Sequence, residues 1–295
     1  MLSWALDGMV LAHGGQALAP HDLLSAWTFD PAVVLGLIAA AWTYVRGAVK
    51  GPRRPPMWQQ AAFLVGLFAI VIALVSPLDA LSGSLASAHM VQHVLLILVA
   101  APALVLSAPL GVMTRGMPLG IRRGFGRIRG GAGLSVARTR RWWRPSVVWL
   151  AHAGVLWLWH ASVPYGLALR FDVIHVVEHA TFFVTALLFW GVVVGSHGAS
   201  QIQRGQGVLL VFGMAMQSVL LSALLTFAGS AWYSGYATTT QAWGLTPLAD
   251  QQLAGVIMWV PAGLVYLGAV LALLTVWFRE VDEEDRARTA RASYT

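Results

Sequence analysis

The sequence contains no cysteine among its 295 residues. Disulfide bonds, thiolate zinc sites and thiol-based metal transfer are therefore excluded. Charged residues are also scarce: they make up 11% of the chain, whereas a soluble protein carries about a quarter. So few charges cannot cover a surface that faces water, which excludes an ordinary soluble domain.

Long apolar runs take the place of the missing charge. Hydrophobic residues make up 58% of the chain, and seven stretches approach or exceed the roughly 17 to 25 apolar residues that a membrane-spanning helix needs. They lie at about 31–47, 58–75, 86–108, 145–161, 172–195, 207–228 and 250–278. The sequence therefore predicts an all-α, polytopic membrane protein, a bundle of about seven transmembrane helices.

The net charge of +7 comes from basic residues on one side of these spans. Of the 19 Lys and Arg residues, 18 lie in segments that seven spans place on the same side, and only Arg170 lies opposite. The positive-inside rule makes that side cytoplasmic, so the N-terminus is predicted to be outside and the C-terminus inside. The charge thus indicates orientation and not nucleic-acid binding.

This topology divides the chain into an extracytoplasmic segment 1–30, a transmembrane domain 31–278 and a cytoplasmic tail 279–295. The long Arg-rich cytoplasmic loop 109–144 is expected to contact anionic lipid headgroups, with a docking site for a partner as the alternative. Ala17-Leu18-Ala19 resembles a signal-peptide cleavage site, but no basic segment precedes it. Cleavage of the N-terminus is therefore not the favoured interpretation.

Two pairs of histidines repeat at one helical spacing. His89 and His93 lie near the start of the third predicted span, and His175 and His179 lie near the start of the fifth. Residues four apart share a helix face, and both spans run from outside to inside, so the two pairs lie at similar depth. Imidazole binds copper, zinc, iron and nickel. If the two helices are neighbours, the pairs form a metal site; otherwise they are four separately hydrogen-bonded histidines.

Other side chains extend this pattern. Further candidate ligands at the same depth are His160, Asp79 and Asp250. Glu178 and Asp172 are expected to orient an imidazole or to carry a proton, and His152, deeper in the membrane, is either functional or held by an interhelical hydrogen bond. Met214 and Met258 are either core packing residues or soft metal ligands.

Copper fits this set of donors best. Histidine with nearby methionine or carboxylate suits copper outside the cytoplasm, where thiols would be oxidised. Zinc fits the histidines nearly as well, and haem with axial histidines is a further alternative.

Several ordered motifs resemble a known family. They are Ser76-Pro77-Leu78-Asp79, His89-Met90-Val91-Gln92-His93, Ala100-Ala101-Pro102, Ala108-Pro109, the His175 and His179 pair, and Asp250-Gln251-Gln252-Leu253-Ala254-Gly255. Together they resemble the CtaG-type cytochrome c oxidase assembly factors, bacterial multi-span membrane proteins associated with making the copper-containing centre (CuB) of haem-copper oxidases. The resemblance covers about residues 20 to 278.

The resemblance implies an assembly factor of the bacterial cell membrane and not an enzyme. We expect such a protein to take copper from a donor outside the cytoplasm and to pass it, by ligand exchange, to the catalytic subunit of a haem-copper oxidase. A copper or proton transporter is the first alternative, although few polar residues lie below the outer cluster. A haem-binding redox protein is the second.

Overall fold

The computed structural model describes residues 18–51, 54–124, 144–194 and 204–292. Within these ranges the regular structure is helical and no strand occurs. The principal helices are α1 (Pro31–Lys50), α2 (Met57–Leu74), α3 (Pro77–Ser82), α4 (Ala86–Leu106), α5 (Pro109–Gly116), α6 (Pro145–His160), α7 (Ser162–Arg170), α8 (Asp172–Val194), α9 (Arg204–Thr226) and α10 (Pro247–Ala292). The predicted all-α fold is confirmed. The described residues begin at Leu18, so the possible cleavage site Ala17-Leu18-Ala19 lies only partly within them, and residues 125–143 of the Arg-rich loop lie outside them.

Six of the described helices are long and apolar enough to cross a membrane: α1, α2, α4, α8, α9 and α10. The helix α6 has only 16 residues, and it forms with α7 a pair bent by 73°. If this bent pair is counted as one span, the described residues contain seven candidate membrane spans. The protein is a multi-pass membrane protein, and the predicted number of spans agrees with the upper count.

The bend between α6 and α7 has a local cause. Pro164 has no N–H to donate to the carbonyl of His160, four residues earlier, so α6 cannot continue through it. Ala161 adopts an extended conformation, with ψ of 140°, and the hydroxyl of Tyr233 donates a hydrogen bond of 3.0 Å to the freed carbonyl of His160. The bend therefore leaves His160 at the end of a helix, where its side chain meets other elements.

The helix α4 contains a π-helical segment, Leu95–Ala100, directly after its histidines. Pro102 follows this segment. Because proline has no backbone N–H, one hydrogen bond to the preceding turn of the helix is missing, and the regular α-helical pattern is disturbed there. The indole of Trp190, on α8, donates a hydrogen bond of 2.9 Å to the carbonyl of Ile97. The irregular turn is thus stabilised by the helix that carries the second histidine pair.

The last helix is longer than predicted. The sequence indicates a span at 250–278 followed by a tail, whereas α10 continues as one helix to Ala292. The residues beyond Phe278 are rich in Glu, Arg and Ala, which have high helix propensities. The helix therefore extends beyond the apolar region.

The helices α1 and α5 pack at very short range through two glycines. A Cβ atom placed on Gly47 would overlap the backbone carbonyl of Val112, and one placed on Gly116 would overlap the carbonyl of Thr43. Small residues are the usual means by which membrane helices approach this closely. The contact therefore depends on both glycines.

Gly47→Ala is expected to lower the free energy of unfolding by about 1–3 kcal/mol, because the new methyl group forces α1 away from α5. Gly36→Ala is the matched control on the same helix, since a Cβ there meets nothing within 4 Å. Thermal unfolding in detergent, followed by circular dichroism, measures the difference. Equal stability of the two variants would contradict the proposed importance of this close approach.

Candidate metal centre

The helices α4 and α8 hold their histidine pairs side by side. His89 and His93 are the fourth and eighth residues of α4, and His175 and His179 are the fourth and eighth residues of α8. The ring centroids are 5.2 Å apart for His89 and His175 and 5.3 Å apart for His93 and His179. All four side chains are buried. The lateral adjacency of the two helices, which the sequence does not reveal, is present.

The ligand atoms form two triads that share one histidine. One triad contains His89, His175 and His179, and the other contains His89, His93 and Glu178; within each, the ligand atoms lie within 4.8 Å of one another. Two nitrogens bound to one tetrahedral ion at about 2.0–2.1 Å would be about 3.3 Å apart. Small side-chain rotations would therefore bring either triad to a bonding geometry.

Glu178 lies between the two histidines of α4. Its Oε2 atom is 3.5 Å from Nε2 of His89, and its Oε1 atom is 3.6 Å from Nε2 of His93. Its side chain is fully buried, and neither carboxylate oxygen accepts a hydrogen bond from any described residue. A buried polar atom without a partner costs about 1–3 kcal/mol. A bound cation would remove that cost, so these residues fit a metal.

Two tyrosines fix the orientation of His89. The hydroxyl of Tyr236 donates to the carbonyl of Ser82 at 2.8 Å, so it accepts from Nδ1 of His89, 3.3 Å away. Tyr165 lies 3.1 Å from the same hydroxyl, and burial raises the pKa of Tyr236. The Nε2 atom of His89 therefore carries the lone pair that a metal needs, and it faces Glu178.

Sequence reasoning missed both tyrosines. Tyr236 belongs to an aromatic segment that is typical of the membrane interface, and Tyr165 follows the bend in the chain. Their signal in the sequence is weak, because a single tyrosine in an aromatic segment says nothing about its hydrogen-bond partner.

The comparison with protein families decides the identity of the chain. A family model described as "Cytochrome c oxidase caa3 assembly factor" matches residues 41–280. The chain belongs to this family. The resemblance predicted from the ordered motifs is thereby confirmed.

Curated relatives of this family member are longer than it is. Uncharacterised proteins of Mycobacterium bovis and Mycobacterium tuberculosis are each 26% identical to it over 290 residues, which cover 90% of this chain and 42% of each relative. An uncharacterised protein of Mycobacterium leprae is 22% identical over 278 residues, which cover 87% of this chain and 40% of the relative. The chain spans less than half the length of these relatives. No solved structure matches it.

Asp250 caps the start of α4 and does not join either triad. Its carboxylate accepts hydrogen bonds from the backbone N–H groups of Ala86, at 2.6 Å, and Ser87, at 3.2 Å, and from the Ser87 hydroxyl. These groups begin α4, and an anion at a helix N-terminus is favourable. The structure thus places this predicted ligand where it supports the helix that presents His89 and His93.

Asp79 likewise lies outside both triads. It accepts a hydrogen bond of 2.8 Å from the side-chain amide of Gln92, which also donates to the carbonyl of Ala73 at 2.6 Å. Gln92 precedes His93 in α4 and is fully buried. Asp79 therefore connects α3 to α4 through Gln92, a residue that sequence reasoning did not single out.

The remaining predicted residues lie around the centre. Asp172 is exposed in the first turn of α8. The two triads together form the histidine cluster. His160 borders this cluster, with its ring centroid 6.0 Å from that of His93. His152 lies deeper, and its Nδ1 atom is 2.9 Å from the Thr185 hydroxyl. Met214 and Met258 are buried and line a small cavity beside His160.

A wide apolar groove leads to one side of the cluster. Its volume is about 1200 Å³, and it runs among α1, α2, α4 and α8. Leu67, Leu104 and Phe183 are among its apolar lining residues, and His175 and His179 also line it. The two histidines of α8 can therefore be approached from the groove, while those of α4 do not line it.

Proposed function

We propose that this assembly factor binds copper at the histidine cluster and passes it to the CuB centre of a haem-copper oxidase. The observation that supports this most is the pair of triads that share His89, buried inside two membrane-spanning helices. Buried imidazole and carboxylate groups are costly in a membrane unless they have a function. Membership of an oxidase assembly family makes the metal of the oxidase the natural cargo.

The donor set suits copper. Imidazole is a good ligand for copper and zinc, and Glu178 supplies one negative charge against a cation. The direct contact between the rings of the two pairs, such as the 5.2 Å between His89 and His175, argues against haem, because a porphyrin cannot lie between rings that touch. Copper fits both the geometry and the family.

Delivery proceeds by ligand exchange. Copper reaches the cluster from a donor outside the cytoplasm, at the predicted outer ends of α4 and α8. The catalytic subunit of the oxidase then replaces His175 and His179, which line the groove, with its own ligands. No covalent bond of a substrate breaks, so this protein acts without enzymatic turnover.

Transport through the membrane is the weaker candidate. A transporter needs a continuous polar path, and Gln217, one of the few polar residues below the cluster, already accepts a hydrogen bond of 2.9 Å from the indole of Trp157. His152 is likewise engaged by Thr185. The described polar groups therefore favour transfer near the outer surface of a bacterial inner membrane.

The test is the copper content of the client oxidase. In cells without their own assembly factor, His89→Ala is expected to lower CuB occupancy and oxidase activity by about tenfold or more, since it removes a ligand of both triads. His21→Ala is the matched control, because the side chain of His21 is exposed and belongs to neither triad. Immunoblotting checks that both variants accumulate. Full CuB occupancy with His89→Ala would overturn the proposal.

A further inference from the structure

A second, smaller cavity adjoins the cluster in the centre of the bundle. Its volume of about 30 Å³ is enough for one water molecule or one ion. The imidazoles and thioethers that line it are those of His93, His152, His160, Met90, Met214 and Met258. Its lining contains no carboxylate and no Lys or Arg. Ser218 and Tyr266, which carry hydroxyl groups, also line it, so the cavity offers uncharged donors, mainly imidazole nitrogen and thioether sulfur.

The hydrogen bonds of His160 determine which of its nitrogens carries a lone pair. Its Nδ1 atom lies 2.7 Å from the carbonyl of Leu156. A carbonyl only accepts, so Nδ1 carries the proton and neutral His160 has its lone pair on Nε2. That Nε2 atom lies 3.4 Å from the sulfur of Met90. Two electron-pair donors thus face each other with no hydrogen between them.

The same reasoning applies to His152. The Thr185 hydroxyl donates its single proton to the carbonyl of Thr181, at 2.7 Å, so it accepts from Nδ1 of His152 at 2.9 Å. The lone pair of His152 is therefore on Nε2, an atom that is buried and has no hydrogen-bond partner among the described residues. His152 is 1% exposed and lines the cavity.

The distance between His160 and Met90 fits a shared ion. A nitrogen and a sulfur bound to one d¹⁰ ion at about 2.0 and 2.3 Å are about 3.5 Å apart when the angle between them is tetrahedral. The two atoms are separated by 3.4 Å in this structure. A cation between them would also relieve the contact between two lone pairs.

We propose that this cavity is a second metal site, which takes a monovalent soft cation, Cu(I), at His160 and Met90. Met214 and Met258 supply further sulfur at its wall. Thioethers select Cu(I), and a divalent ion without an anionic ligand would be poorly stabilised in so apolar a setting. This inference depends on the proposed function in one respect, namely that copper is the metal the protein handles.

His93 connects the two sites. It belongs to the triad with His89 and Glu178, and it also lines the second cavity. Its ring centroid is 4.5 Å from that of His89 and 6.0 Å from that of His160. The second site is thus a neighbouring position for reduced copper, reached through one shared histidine.

The test is X-ray absorption at the copper edge of the full chain, loaded with Cu(I) in detergent under anaerobic, reducing conditions. We expect a copper–sulfur shell near about 2.3 Å in the wild type. Combined Met90→Leu, Met214→Leu and Met258→Leu should remove this shell and one copper per chain, while keeping the packing volume. Met216→Leu is the matched control, because Met216 lies on the same helix as Met214 but is exposed and does not line the cavity.

The outcomes separate this inference from the proposed function. Bound copper with no sulfur shell in the wild type would overturn the second site, leave the histidine cluster intact, and assign the contact to an N–H···S hydrogen bond of protonated His160. A sulfur shell that survives the triple change would overturn it as well. A sulfur shell that persists in His89→Ala, after copper at the cluster is lost, would support it independently. No bound copper at all would overturn both proposals.

Discussion

Purified His89→Ala protein is expected to bind copper at least about 100-fold more weakly at the histidine cluster, a larger loss than for any other single histidine there. His89 is the one residue that both triads share. His175→Ala removes a ligand of one triad only and leaves His89, His93 and Glu178 in place, so we expect a loss of about tenfold. Competition with a copper chelator, combined with elemental analysis, measures both.

Two further variants make this comparison decisive. His21→Ala controls for the loss of an imidazole, because His21 lies on the surface. Glu178→Gln keeps the size of the side chain but removes the only carboxylate of the triads, so weaker binding by this variant would support direct ligation. Equal affinities of His89→Ala and His175→Ala would contradict the prediction that copper is bound through His89 in both triads.

Asp250→Ala is expected to lower the free energy of unfolding by about 2–3 kcal/mol, because three donors at the start of α4 lose a buried acceptor. Asp250→Asn retains one acceptor oxygen and should cost about half as much. Denaturation in detergent, followed by tryptophan fluorescence, provides the comparison. Asp172→Ala is the control, since Asp172 is an exposed acid in the first turn of another helix.

Copper binding by an Asp250 variant distinguishes a helix-capping role of Asp250 from direct ligation of the metal. If Asp250 only supports α4, Asp250→Asn should retain copper under conditions in which the variant is folded. Complete loss of copper from a fully folded Asp250→Asn protein would instead return Asp250 to the ligands.

The depth of the histidines could be predicted from the sequence, whereas their neighbours could not. Apolar length fixes where a helix enters the membrane, and spacing by four fixes a common face. Which helices are adjacent depends on packing between distant parts of the chain, so the contact of His89 with His175 came only from the structure. The partners of Glu178 could not be predicted for the same reason, because they lie far from it in sequence.

The roles of the carboxylates at the membrane rim could not be predicted from the sequence. Asp79 and Asp250 match the pattern of metal ligands, but a carboxylate also satisfies helix N-termini and amide side chains. The choice depends on which donors lie within 3 Å, a distance that sequence spacing does not reveal. Ala86 donates to Asp250 and Gln92 donates to Asp79, so each of these acids already has a hydrogen-bond donor from another part of the chain.

The π-helical turn at Leu95–Ala100 has a consequence for comparing relatives. A π-turn adds a residue to a helix, and each residue turns an α-helix by about 100°. A relative that lacks this additional residue would point the counterparts of His89 and His93 toward a different neighbour, even if every other position were identical. An alignment of the family should therefore be allowed a gap here, and insertions or deletions in this turn should distinguish members that keep the histidine cluster from those that have lost it.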